Sequence, residues 1–234
     1  MIYRVTGEGA IAQPRKFSGI RIAILVILGA LLVCAGSSAS ADAATRLSSP
    51  GGISSGSCSI TPCDLNYAIT VADPADTISL ANGTYNLANV QVPKELHFLG
   101  TSRANTIVGL TSGSPSVNTF ELNDGADGSS FNTMTITGRD GGKSAIGTTT
   151  GATGVDNINI TNVSITSSKW SGGTNAIGIT APSTGWTLDN VLTDGFSYGL
   201  NSDGANANNF TIVNSAFNKA YYGGIYARRE FSTS

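Results

Sequence analysis

The chain has 234 residues, of which only 12% are charged, with 29 glycines, three cysteines and a formal net charge of −2. A charge that small and negative excludes a protein built to grip nucleic acid or an anionic membrane, both of which call for a basic face. The length fits one domain behind a leader.

Arg4, Arg15, Lys16 and Arg21 outweigh Glu8 in the first segment, and the apolar stretch IAILVILGALLV (Ile22 to Val33) follows. That run is short for a helix spanning a bilayer. Ala39-Ser40-Ala41 and Ala41-Asp42-Ala43 then offer the small-x-small pattern that a signal peptidase needs. Residues 1–41 therefore read as a signal peptide. The alternatives are an uncleaved anchor, with the apolar stretch extended through Cys34 to Gly36, and a lipidated Cys34, against which Val33 is too bulky. Without the leader, residues 42–234 carry nine basic and fourteen acidic side chains, a net charge of −5. Cys58 and Cys63 remain, and an even pair in an exported chain favours a local disulfide. Residues 42–57, rich in Ser and Gly, read as a linker ahead of a domain spanning 58–234.

The first element of that domain is a short helix. Thr61 can serve as its N-cap, with Pro62 at the first helical position and Asp64 in the first turn. Leu65, Ala68, Ile69 and Ala72 then share one apolar face. Such a helix can cover the open end of a stack of strands, with Cys58 and Cys63 tying the incoming chain to it.

Beyond residue 75 no long window has helical periodicity, and a repeated unit takes over. INITNVSI (158–165), WTLDNVLT (186–193) and FTIVNSAF (210–217) align Asn162, Asn190 and Asn214, spaced 28 and 24 residues apart, and SFNTMTI (130–136) fits with Thr133 at the Asn position. Apolar residues precede each Asn by two and four places, so Ile158 and Ile160 point inward from a strand of period two. Asn tolerates the left-handed backbone conformation, which lets the chain turn there with the Asn itself inward, before Val163 and Ile165 resume the inner face. Stacked units would place these amides in a ladder at a strand spacing of roughly 4.8 Å. A second strand follows each unit: SAIGT (144–148), NAIGIT (175–180), SYGLN (197–201) and GGIY (223–226), which align Gly147, Gly178, Gly199 and Gly224. Stacking such units buries the apolar edge that each exposes alone.

These coils, with an Asn at a tight turn and loops of variable length, resemble the right-handed parallel β-helix of the pectin-lyase-like superfamily. CDLNYAITVADPADTISLANGTYNL (63–87) is similar to the opening segment of its secreted and cell-surface members, with Asn66 and Tyr67 where Arg and Glu are usual. The resemblance covers residues 58 to 231 and implies an all-β, right-handed parallel β-helix of five or six coils with a short N-terminal capping helix. A β-sandwich, which would pair consecutive strands antiparallel, is the alternative. The segment NKAYYGGIYARREFSTS ends in mid-coil. It predicts either the N-terminal portion of a longer β-helix or an open end covered by self-association, with Arg228, Arg229 and Glu230 blunting that edge.

The superfamily's enzymes hold substrate along the outer face of one sheet. In this chain the aligned outward row is Glu121, Gly147, Gly178, Gly199 and Gly224, flanked by Ala145, Ala176, Thr149, Thr180, Ser197 and Asn201. It forms a bare floor without paired carboxylates, and the paired-Asp, Gly-His-Gly and basic lyase motifs are absent. The single histidine, His97, reads as an outward strand residue. One polar cluster could carry chemistry. Glu121, Asp124, Asp127 and Asp140 could hold calcium, with Arg139 or Lys143 taking the proton α to a uronate carboxylate; the competing reading is that Asp-Gly pairs are turn formers. No cofactor is required by the sequence, and calcium is the candidate. Trp170 in a variable loop, with Tyr222 and Tyr226, could stack on sugar rings, while Trp186 reads as core. Sequons at Asn82, Asn159, Asn162 and Asn209 matter only in a eukaryotic secretory pathway. The resulting expectation is an exported, non-catalytic glycan-binding or adhesin-like β-helix whose partner is a polysaccharide or cell-surface glycan. The alternative is an acidic-polysaccharide lyase or other carbohydrate-active enzyme.

Overall fold

The computed structural model describes residues 42–109, 116–138, 143–167, 174–202 and 207–227. The leader, Asp140 and Trp170 lie outside them. All strand pairings between the described elements are parallel, in an 11-stranded sheet, a six-stranded sheet and one short pair. The described residues form a parallel β-solenoid of about six turns with one short helix, consistent with the right-handed parallel β-helix read from the sequence. No sandwich is formed, because the apolar residues recur once per coil and only in-register stacking buries each against its equivalent.

The core consists of columns of equivalent residues. Register places Ile78, Phe98, Phe131, Ile160, Leu188 and Ile212 side by side on successive strands. All but the last are fully buried. A second column, Val90, Phe120, Ile146, Ile177, Leu200 and Ile225, faces it from the six-stranded sheet. The rings of Phe98 and Phe131 stack at 5.1 Å, and Phe120 meets Phe131 edge-on at 4.9 Å.

The turn separating the first two strands of a coil is where the sequence placed it. Thr133, Asn162, Asn190 and Asn214 have φ between 50° and 55°. Asn162 Nδ2 donates to Thr133 Oγ1 at 3.1 Å, and Asn190 Nδ2 to Asn162 Oδ1 at 3.2 Å. The ladder stops at Asn214, whose amide donates instead to Asp189 Oδ1 at 2.9 Å. Its position in the cross-section corrects the expectation of an inward side chain: Asn162 is half-buried, and Asn190 and Asn214 are exposed. The left-handed residue consumes one step of the alternation on the outside of the corner, so Ile160 and Val163 both point in and Thr161 and Asn162 both point out. Asn162→Val should therefore lower stability by about 1–3 kcal/mol through backbone strain and the lost bonds. Asn162→Gly should cost less than half of that, because it removes the bonds but keeps the backbone. Urea midpoints of the two variants check the ordering.

A second left-handed corner went unread in the sequence. Gly128, Asn157, Gly185 and Asn209 have φ of 78°, 57°, 72° and 55° just before the first strand of four coils. The residue in front of each links coils together: Asp127 Oδ1 accepts from Asp156 N at 2.7 Å, and Asp156 Oδ1 from Thr184 N at 2.7 Å.

The N-terminal end differs from the expectation in two places. Residues 42–57 are not a linker, since Thr45–Ile53 is a strand paired in parallel with Thr77–Leu80. Its Ser- and Gly-rich sequence carries no alternation, and the pairing comes from the neighbouring coil and from Asp76. That carboxylate, 1% exposed, accepts from Ala44 N at 2.6 Å, Asp73 N at 2.9 Å and Arg46 Nε at 2.8 Å. The helix spans Leu65–Val71, and its N-cap is Asp64 rather than Thr61, with Oδ1 accepting from Asn66 N and Tyr67 N. Cys63 is held extended by backbone bridges to the first strand, which delays the helix. It is also bonded to Cys58, with the Cα atoms 5.4 Å apart. Leu65, Ala68, Ile69 and Ala72 are buried as one face. No helix among the described residues is long and apolar enough to cross a membrane.

Candidate glycan-binding face

The outer face of the six-stranded sheet follows from its register. Gln91, Glu121, Gly147, Gly178, Asn201 and Tyr226 form one row. The alignment of glycines holds for Gly147 and Gly178 only. Gly199 and Gly224 lie two places earlier, beside Ala176, and a Cβ on Gly199 would collide with the Phe217 ring on the core side. Ala145 and Ala176 are likewise fully buried rather than outward. Ala145 with Ile146, and Ala176 with Ile177, are buried at consecutive positions, which breaks the strict alternation used to read the row and still seen in Val90–Val92 and Phe120–Leu122. Aligning Ile146, Ile177, Leu200 and Ile225 instead of the glycines would have given the observed register.

The glycine floor is not bare, because missing side chains make room for amides and hydroxyls of neighbouring coils. The Asn118 amide occupies the space where a Gly147 Cβ would stand, and Ser144 Oγ the corresponding space at Gly178. Asn118 Nδ2 donates to Glu121 Oε2 at 2.6 Å, and Asn201 Nδ2 to Asn175 Oδ1 at 3.4 Å. Thr148 Oγ1 accepts from Thr180 N at 2.7 Å and Ala181 N at 3.0 Å. Asn118, Lys143, Ser144, Asn175, Gly178 and Asn201 line a cleft of about 310 Å³. At the N-terminal end of the same row Gln91 lines a second cleft of about 370 Å³ beside the helix, together with Asn66 and Lys94.

Towards the C-terminal end the face becomes aromatic. The Tyr198 ring lies 5.5 Å from Tyr222 and 5.0 Å from Tyr226, and Tyr221 meets Tyr222 edge-on at 4.5 Å. Tyr222 is 63% exposed. Tyr222 and Tyr226 were anticipated from sequence, whereas Tyr198, Asn118, Ser144 and Asn175 were not. Each of these four sits on the face through cross-coil register rather than through a local motif.

Of the acids proposed for calcium, the three described ones, Glu121, Asp124 and Asp127, each bond a different partner, and Asp140 lies outside the described residues. Glu121 holds Asn118; Asp124 Oδ1 accepts from Thr153 N at 2.8 Å; Asp127 serves the second corner. Among the described residues no group of three or more His, Cys, Asp or Glu side chains could hold a metal ion. In the Asp124-Gly125 and Asp127-Gly128 turns one oxygen of each carboxylate, Oδ1, accepts from backbone of the next coil. His97 is structural in its contacts, with Nδ1 3.0 Å from Ser130 Oγ and Nε2 3.6 Å from Glu95 Oε1. Trp186 is fully buried, its Nε1 donating to Val155 O at 2.8 Å.

No family profile and no curated protein matches the chain. Among solved structures it is similar to pectin methylesterase from carrot, at 13% identity over 81% of this chain and 89% of that one, with a TM-score of 0.27.

Proposed function

We propose that the protein is exported and binds glycan chains along the outer face of its six-stranded sheet, as a surface or adhesin-like module. The observation that carries this reading is the juxtaposition, on one face, of an amide- and hydroxyl-lined cleft with an exposed tyrosine cluster. Sugars have that dual character: hydroxyls pair with amides and hydroxyls, and the C–H faces of the ring pack on aromatic rings. Trp170 belongs to this proposal as a further stacking residue. The alternative of an acidic-polysaccharide lyase draws no support from the described acids, since Glu121, Asp124 and Asp127 are each engaged separately.

Titration calorimetry of the purified chain against a panel of soluble polysaccharides tests the proposal. Binding is expected for at least one member, and Tyr222→Ala should weaken it about tenfold, or ~1.4 kcal/mol, through loss of stacking. Unsaturated product detected by ultraviolet absorbance in calcium, and lost with a chelator, would instead establish the lyase.

A further inference from the structure

The charges on this face narrow the class of chain it takes. A polyuronate presents one carboxylate per sugar, and each that leaves water needs a cationic partner. Among the described residues lining the two clefts the cations are Lys94 and Lys143. Lys94 Nζ already donates to the Ala72 carbonyl at the end of the helix. Lys143 shares its cleft with Asn118, which the Glu121 carboxylate of the outward row grips, so an acid as well as a cation belongs to this face. The field of the whole domain, at net −5 for residues 42–234, opposes the approach of a polyanion.

The amides point the same way. Asn118 is 3% exposed, and in the free protein its amide is oriented by the Glu121 carboxylate, which can only accept, so Nδ2 faces Glu121 and Oδ1 faces away. Among the described residues no group donates to Asn118 Oδ1 or to Asn201 Oδ1. A buried acceptor left without a donor is destabilising, and groups that can relieve it carry O–H or N–H. An ionised carboxylate has no proton to give, so only the hydroxyls of a sugar can serve, and the selection against a uronate comes from the charges above. The two amides stand two to three strands apart in the register, roughly 10–14 Å, a span that two or three consecutive sugar rings would cover.

We infer that the chain recognised by this face is a neutral, hydroxyl-rich glycan rather than a polyuronate, with Asn118 and Asn201 accepting hydroxyl protons at two separate subsites. The inference rests on the glycan-binding reading above. It requires each amide to swing toward the cleft on binding, because both oxygens are closed off in the free protein.

The test uses the full chain and compares an oligogalacturonate with its carboxyl-reduced counterpart, which has the same backbone without the charge, alongside neutral gluco-, manno-, xylo- and galacto-oligosaccharides of equal length. The best neutral member should bind at least about tenfold more tightly than the uronate, with little change in affinity as salt is raised, because no ion pair is screened. Asn201→Leu should weaken neutral binding about tenfold. Asn201→Asp, which keeps an acceptor there, should hold neutral binding within a few-fold while weakening any uronate binding further. Thermal melts and circular dichroism confirm that both variants are folded. Tighter binding of the uronate, falling steeply with salt, would overturn the neutral assignment and leave glycan binding intact. No binding of any member by the folded wild-type chain would overturn the glycan reading itself.

Discussion

Phe131→Ala is expected to lower stability by about 3–5 kcal/mol and to split unfolding into two transitions. Phe131 is fully buried where three aromatic rings meet, stacked on Phe98 at 5.1 Å and edge-on to Phe120 at 4.9 Å. Its strand pairs with His97–Leu99 on one side and with Asn159–Ser167 on the other. In a solenoid each coil is stabilised mainly by its neighbours, so a weakened contact in mid-stack decouples the coils on its two sides. Urea unfolding followed by circular dichroism should show the second transition. Hydrogen exchange should show Thr77–Leu80 and His97–Leu99 losing protection before Thr187–Asp189. Phe131→Leu keeps most of the volume and should cost about 1.5 kcal/mol or less, within one transition. If Phe131→Ala cost no more than Phe131→Leu, the aromatic cluster would not be what couples the coils.

Acid should undo the N-terminal strand first, through Asp76. Burial by itself raises the pKa of this carboxyl, but bonds from Ala44 N, Asp73 N and the Arg46 guanidinium outweigh it and hold the pKa below the usual value. A carboxyl whose pKa is depressed on folding contributes stability that is fully present above its unfolded pKa, about 3.9, and is lost as pH falls through the lower folded value. Asp76→Asn removes the charge that Arg46 and the two amides bind, and should cost about 2–3 kcal/mol at neutral pH. The gap between variant and wild type should stay constant above about pH 5 and narrow below about pH 4. Unfolding titrations at several pH values measure it. A gap that did not narrow in acid would mean that Asp76 acts through packing alone. Exchange at Thr45–Ile53 should rise in the variant before that of any other strand, because Ala44 and Arg46 are the residues that Asp76 clasps.

The sequence alone determined the solenoid. The pairs Ile158 and Ile160 before Asn162, and Trp186 and Leu188 before Asn190, encode inward faces, and the intervening Asn encodes a left-handed corner; both are properties of a few adjacent residues. The disulfide partners and the apolar face of the helix were legible for the same reason. Tertiary structure alone decided the face on which function is proposed. Whether Gly199 or Asn201 lies beside Gly178 depends on loops of unequal length between coils, and the register is set by core contacts such as Ile177 against Leu200. Asp124 and Asp127 look alike in sequence as calcium ligands or turn formers, and only the next coil, offering Thr153 N and Asp156 N, assigns them to the backbone. Asn118 is silent in sequence because its role comes from lying in the space over Gly147, a residue 29 positions later on the neighbouring coil. Alternation and turn preference act over a handful of bonds, whereas a site on a solenoid wall is assembled from one residue per coil, so it exists only once the coils are stacked in register.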